Sequence, residues 1–369
     1  SGDVNIALNV HAEGGRYSLN GNVRTDGTSV SIPEKSLKAS NISIDLPFHL
    51  CHPSGASPPK EQGVPGKIFI ERFEKGILEM AGVAIPVASS DNSISVSEDI
   101  EIPFYGGKLR ILQCAALDIL SPARKFYFAA KIENLDVGAL FNDLTGMQLP
   151  GSMEAHFPMI AYENGRWITK GVTALKVFGG TIEANNVQAE NLFLSSRTIR
   201  GDISFRDIDL GKITDAIKIG TIKGIIQGSI KGLEIEYGQP AHFVLDIDSV
   251  KKKGVEQTIS VDAIENISII GTGSGAVGAI LKSGINRFFK EYPYSRIGIK
   301  CTLENDNFHL RGKIHEGSTE YFIRRGFLRG IDMINKDPDN TISFGDMQER
   351  IGRVFNENGG KPTFTTSMN

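Results

Sequence analysis

Apolar and polar residues alternate along most of this chain. Ile94, Val96, Ile100, Ile102 and Phe104 fall on one parity, with Ser95, Ser97, Asp99 and Glu101 on the other. Phe126, Phe128, Ala130 and Ile132 repeat the pattern, as do Phe243, Leu245 and Ile247, then Ile297, Ile299, Cys301 and Leu303. Successive side chains of a strand point to opposite faces, so this period predicts β-strands with one apolar and one wetted face. Turn signals stand between them at Gly14-Gly15, Asp26-Gly27, Gly106-Gly107, Asn164-Gly165 and Gly179-Gly180. Residues 51–66 (CHPSGASPPKEQGVPG) read as an exposed loop.

Helical spacing is confined to a few places. Residues 136–145 and 209–218 each open on an Asp, a favourable N-cap. Residues 276–291 carry Val277, Ile280, Leu281 and Phe288 on one side. Residues 343–355 start on Ser343, place Asp346 three residues on, and line up Phe344, Met347, Ile351, Val354 and Phe355. Residues 321–335 fit two strands better than a helix.

An internal repeat runs at an offset of 73 residues without a gap. Phe104-Tyr105-Gly106-Gly107-Lys108-Leu109 aligns with Val177-Phe178-Gly179-Gly180-Thr181-Ile182, and Asn134-Leu135-Asp136-Val137-Gly138 with Asp207-Ile208-Asp209-Leu210-Gly211. One unit reads as strand, double-glycine turn, strands, an Asp-capped short helix and a further strand. Such repetition marks an array in which each unit packs mainly on its neighbours. The chain therefore divides into a β-rich segment 1–90 with the loop at 51–66, two tandem repeats over 91–260, and an α+β cap over 261–369.

Composition narrows the function. With 40 Lys+Arg against 43 Asp+Glu the net charge is −3, without the basic excess of a nucleic-acid binder. A hydrophobic content of 40% sustains a folded core. The longest apolar stretch, residues 80–88, is interrupted by Gly82 and Pro86 and is too short to span a bilayer as a helix. No signal peptide is recognised, and the Ser1-Gly2 start without Met reads as a segment of a longer chain.

Catalytic chemistry is hard to place. There is no G-x-S-x-G, P-loop or H-E-x-x-H, and nothing pairs the many carboxylates across a cleft, so the chain is read as a non-enzyme without cofactor or metal. Gly273-Ser274-Gly275-Ala276-Val277-Gly278 is a literal G-x-G-x-x-G. It follows the apolar run 267–270, opens the expected helix 276–291, and precedes a strand ending at Glu304, where a ribose-binding acid would sit. Against a dinucleotide site stand the β-rich surroundings and Glu265, Asn266 and Ser268, polar where a central parallel strand is apolar on both faces. A glycine-rich bend feeding an amphipathic helix is the favoured reading. Cys51, Cys114 and Cys301 allow one pair plus a remainder, Cys51 with Cys114 in an oxidising compartment, or three ordinary small residues. His49, Cys51 and His52 beside Cys114 match no standard zinc spacing. Lys251-Lys252-Lys253 reads as a hairpin tip, and Arg324, Arg325 and Arg329 as exposed charge or a phosphate contact.

What remains is an apolar strand face without an evident lid. The strands either close on themselves as a barrel or sandwich, or curl into a groove covered by a ligand. An acyl chain is the natural ligand of a long apolar trough.

The repeat motifs above are followed by Gly220-Thr221-Ile222-Lys223-Gly224-Ile225-Ile226-Gln227-Gly228, Gly238-Gln239-Pro240, Tyr294-Ser295-Arg296-Ile297-Gly298-Ile299 and Ile342-Ser343-Phe344-Gly345-Asp346-Met347. In this order they resemble the AsmA-like proteins of Gram-negative bacteria, in particular the C-terminal part of the YdbH-like branch, with the TamB proteins as relatives. The resemblance covers residues 94–355. It implies a mostly β chain, an elongated, curled antiparallel sheet with a greasy groove and a few short amphipathic helices. It also implies a periplasmic bridge for phospholipid between inner and outer membrane, anchored in the inner membrane by an N-terminal helix of the longer chain. An envelope or outer-membrane partner would sit at the C-terminal end, and transport would be passive. No catalytic residues carry over. Strand parity nominates Ile94, Val96, Ile100, Ile102, Phe104, Phe126 and Phe128 as groove lining, with Phe178, Ile182, Phe243, Leu245 and Ile247 further on. The alternative is a closed β module of the cell envelope that docks an outer-membrane partner without carrying lipid.

Overall fold

A computed structural model describes residues 2–33, 37–52, 63–75, 78–119, 121–145, 151–192, 194–272, 290–326 and 330–357. The chain is mostly β and antiparallel, with four short helices among the described residues. It divides into two compact units, Ser1–Asp143 with Met153–Thr173, and Leu144–Ser152 with Ala174–Asn369.

The first unit is a run of antiparallel neighbours. Strands β1 (Val4–Glu13), β2 (Arg16–Ile32), β3 (Leu37–His52), β4 (Val64–Lys75) and β5 (Leu78–Ser90) pair in chain order. β6 (Ser93–Val96) pairs with β5 and with β8 (Gly107–Leu117), which also pairs with β7 (Ile100–Phe104) and β9 (Lys125–Asp136). Helix α1 (Val137–Thr145) follows β9; β10 (Ser152–Glu163) and β11 (Arg166–Lys170) form a hairpin. Among the described residues β1 pairs with β2 alone, so the sheet has an open edge there rather than the closure of a barrel.

The second unit contains β12 (Thr173–Val177), β13 (Gly180–Glu190), β14 (Thr198–Asp209), α2 (Leu210–Ile217), β15 (Ile222–Lys223), β16 (Ile225–Glu236), β17 (Gln239–Val250), β18 (Thr258–Ser260) and α3 (Val261–Thr272). After these come β19 (Glu291–Glu304), β20 (Asn307–Gly312), β21 (Ile314–Glu316), β22 (Thr319–Arg325), β23 (Met333–Asn335), β24 (Thr341–Ser343) and α4 (Phe344–Glu357). The order β13, β14, β16, β17, β19, β20, β24 forms its main sheet. β22 and β23 supply the two strands expected over 321–335. A core of Ile222, Ile259, Val261, Ala263, Ile264, Tyr292, Tyr294, Ile297 and Ile323 sits where α3 meets β15, β18, β19 and β22. Burial there pushes the Tyr294 phenol up to about 12, while its hydroxyl donates to the Lys223 carbonyl at 2.8 Å.

The 73-residue repeat is carried in backbone geometry. Tyr105 and Gly106 take φ of 42° and 76°, and Phe178 and Gly179 take 51° and 77°. In both copies the N–H of the helix-capping Asp donates back to the turn, Asp136 to the Tyr105 carbonyl at 2.9 Å and Asp209 to the Phe178 carbonyl at 3.0 Å. The side chains of Asp136 and Asp209 then accept from Ala139 N at 3.1 Å and Gly211 N at 2.9 Å, as the capping signal predicts. The second glycine of each pair is required for space rather than φ. A Cβ on Gly107 would land on the Glu133 carbonyl oxygen, and one on Gly180 on that of Arg206. Gly180→Ala is therefore expected to cost about 2–3 kcal/mol, measured by denaturant unfolding. An unchanged midpoint would mean the two strands separate freely at this point.

Three expectations are corrected. Asp26-Gly27 makes no turn: it lies inside β2, where Gly27 at φ 66° forms an irregularity in the register between Thr25 and Thr28. Asp-Gly favours positive φ, which serves a bulge as well as a hairpin. The apolar run 267–270 is not a strand but part of α3. Ser260 Oγ caps it by accepting from Ala263 N at 3.1 Å, and Ala263, Ile264, Asn266 and Ser268 are all buried. A short apolar run reads alike in a buried helix and a strand. The strand that a dinucleotide site needs ahead of its glycines is thus absent, while Gly273 to Gly278 and most of the expected helix 276–291 lie outside the described residues. Of the loop expected at 51–66, Cys51 and His52 instead finish β3 and Val64 to Gly66 begin β4, while residues 53–62 lie outside the described residues.

Candidate functional site

Register alone assembles an apolar face in the first unit. Across β1 to β3, Val4, Ile6 and Val10 stand opposite Thr25, Val23 and Leu19, which stand opposite Ile44, Leu46 and Leu50. Ile44 and Ile42 meet Ile68 and Ile70, which meet Ile85 and Val83. Val87 meets Val96, and Ser89 meets Ile94. Ile94 pairs with Ala116 and Ala116 with Phe126; Cys114 pairs with Phe128. Ile100, Ile111 and Ala130 form the next row, and Ile102, Leu109 and Ile132 the one after. Ile94, Val96, Ile100, Ile102, Phe126 and Phe128 thus share one face, and Phe104 ends β7 on the same parity.

That face is only partly covered. Val83, Ile100 and Ile102 are buried, with Ile70, Met80, Ile85, Val96, Leu109 and Ile111 packed on them. Ile94, Phe126 and Phe128 are half-buried. On β1 the apolar side chains stand in the open, Val4 at 57%, Ile6 at 64%, Leu8 at 50% and Val10 at 63% exposure. Phe48 lies over Gly21, where a Cβ would come within 2.5 Å of the ring, so a bare glycine lets the aromatic ring flatten onto the sheet.

The opposite parity is charged. Asp45 accepts from Asn22 at 2.7 Å and Arg24 at 3.3 Å. Arg110 lies 3.2 Å from Glu101, and Lys170 lies 2.9 Å from Glu163. Glu163 also accepts from the Tyr127 hydroxyl at 2.9 Å. Hydrogen bonds from Lys170 and Tyr127 hold the Glu163 carboxyl below its ordinary value. Cys51 and Cys114 fall on opposite parities, Cys51 beside Leu50 on the polar side and Cys114 opposite Phe128 on the apolar side, and all three cysteines are unbonded. Among the described residues no three His, Cys, Asp or Glu side chains gather as metal ligands.

In the second unit Ile182, Phe205, Gly228, Ile247 and Ile299 form one cross-strand row, and Ile203, Ile230, Leu245 and Cys301 the next. Here helices cover part of the face. Phe243 and Leu245 pack against Cys301, Leu303, Phe308 and Met347, together with Ile270 of α3 and Phe344 and Ile351 of α4. Burial pushes the Cys301 thiol up to about 12. Arg350 fastens α4 to α3 by donating to the Ile270 and Gly271 carbonyls at 3.4 and 3.1 Å. Phe178 stands in a turn at φ 51°, so strand alternation does not assign it a face. Arg324 is committed to carboxylates, Asp332 at 2.9 Å and Glu316 at 2.5 Å, and Lys252 reaches Asp207 at 3.0 Å. Arg329 lies outside the described residues.

Sequence reasoning passed over one cluster. Asn164 and Gly165 take φ of 53° and 81°, the tight hairpin that Asn-Gly favours, and so set Tyr162 opposite Trp167. The two rings lie 5.1 Å apart between centroids, and Phe126 lies 5.6 Å from Tyr162 and 6.4 Å from Trp167. The Asn-Gly signal was visible in the sequence, but the approach of Phe126 across the sheet was not. Among the described residues no helix is long and apolar enough to cross a membrane. Comparison with protein-family models, with curated proteins and with solved structures finds no match for this chain.

Proposed function

We propose that this chain carries phospholipid, holding acyl chains against the apolar face of its antiparallel sheet while head groups stay in water. The observation that carries the reading is the segregation in the first unit. Ile94, Phe126, Phe128 and the β1 residues are open or half-open on one parity, and the ion pairs occupy the other. Open apolar area of this kind is unfavourable in water unless a ligand covers it. The resemblance to AsmA-like proteins sets the context: a periplasmic bridge, passive, belonging to a longer chain anchored in the inner membrane and reaching toward the outer membrane. Native mass spectrometry of the purified chain, followed by solvent extraction, tests this. Bound phospholipid is the expected result. A lipid-free mass that stays lipid-free after incubation with phospholipid vesicles would end the proposal.

A second reading is favoured by one feature of the other unit, where α3 and α4 pack over Phe243, Leu245 and Leu303. There the chain acts as an envelope module that docks a partner at its C-terminal end without lipid. Pull-down from envelope extracts with Met347 and Ile351 intact but lipid absent would support it.

A further inference from the structure

Phe126, Tyr162 and Trp167 sit on the ladder of the sheet, Phe126 opposite Ala116 and Tyr162 opposite Trp167, and all three side chains are half-buried. Phe126 and Trp167 lie nearly parallel, 18° apart, and Tyr162 leans between them at 48° and 50°. Phe126 extends the row Ser89, Ile94, Ala116, so the cluster continues the apolar face past the small Ala116. The charged groups nearby turn the other way, with Tyr127 bonded to Glu163 and Lys170 on the opposite parity. Rings offer a rigid, flat surface at low entropic cost, against which a methylene chain gains many dispersion contacts. Aliphatic strand residues offer no comparable platform.

We propose that Phe126, Tyr162 and Trp167 form a holding point for one acyl chain, the place on the first unit's face from which a bound lipid leaves most slowly. This rests on the phospholipid reading above. The bound chemistry is a hydrocarbon tail, supplied by a phospholipid or a free fatty acid, and the turning of Glu163 and Lys170 to the opposite parity favours the tail over the head group.

Trp167 is the sole tryptophan of the chain, which makes the test direct. The full chain is incubated with phosphatidylcholine vesicles whose acyl chains are brominated, or with unbrominated ones, and then separated from the vesicles. Bromine quenches indole only on contact. The expected result is bound phospholipid by native mass spectrometry, with loss of Trp167 emission for the brominated lipid alone. Lipid bound with emission unchanged overturns the holding point and leaves the transport reading standing. No lipid bound overturns both. A mass that shows only brominated fatty acid, with quenching, keeps the holding point and removes the phospholipid reading. Phe126→Leu preserves apolarity while removing the ring, and is expected to speed lipid release to acceptor vesicles roughly 2- to 10-fold. An unchanged release rate would remove the holding role even if Trp167 is quenched.

Discussion

Phe128→Asp is expected to strip the chain of phospholipid while leaving it folded, whereas Leu245→Asp is expected to unfold it. The two residues look alike in the sequence, each in the middle of an alternating strand. Phe128 pairs with Cys114 on a half-open face and has water within reach, so a carboxylate there stays solvated. Its stability cost is the lost partial burial and a poor strand residue, about 1–2 kcal/mol. Leu245 is half-buried too, but it packs on the buried cluster of Cys301, Leu303, Phe308 and Met347, where a carboxylate would lose water without gaining a partner. The expected cost there is about 3–5 kcal/mol. Thermal unfolding and lipid content, measured together on both variants, check this. If Phe128→Asp also collapses the fold, the face is a closed core, and the transport reading loses its main support.

Glu320→Ala should lower stability by about 1–3 kcal/mol, because Arg311 is 40% exposed and can turn to water, whereas the buried Gly312 N–H loses its acceptor. Glu320 is only 4% exposed, yet it accepts from Arg311 at 2.9 Å, from Gly312 N at 2.6 Å and from Asn335 Nδ2 at 2.7 Å. It thereby joins β20, β22 and β23. Burial pushes its carboxyl up, but the bonds from Arg311, Asn335 and Gly312 outweigh that and hold it below the ordinary glutamate value of 4.5. A carboxyl with a depressed folded pKa stabilises the fold above the unfolded value, and that contribution is lost as pH falls through the folded value. Acid unfolding should therefore steepen below about pH 4.5, and Glu320→Gln should flatten that limb. An acid limb identical in Glu320→Gln and the parent would show that other carboxylates govern it.

Much of the local architecture follows from residues that can be read one at a time. The alternation at Phe126 to Ile132 gave strand β9, and Asp136 and Asp209 gave the helix starts. The double glycines gave repeated turns, although the turn itself uses Tyr105-Gly106 and Phe178-Gly179, with Gly107 and Gly180 admitted for close backbone approach. Ser343 caps α4 as expected, its Oγ accepting from Asp346 N at 3.0 Å. These features depend on neighbours within a few positions, so composition and spacing encode them. Where two structures satisfy the same local pattern, the sequence was ambiguous. Residues 265–270 satisfy a buried helix as well as a strand, and Asp26-Gly27 a bulge as well as a turn.

By itself, then, the sequence determined that the chain is β-rich, that its strands have one apolar face, and that a 73-residue unit recurs, since period, turns and caps are properties of adjacent residues. Only the tertiary structure decided which stretches of that face are covered. α4 joins Phe243 and Leu245 in one cluster around the buried Leu303 and Met347, held by contacts spanning about a hundred positions such as Gln348 to Gln239 at 3.0 Å, while on β1 Val4, Ile6 and Val10 stand open. It also brought Phe126 to Tyr162 and Trp167. Coverage depends on which distant segments meet, and alternation along a strand is the same whether a helix, a lipid or water lies against it.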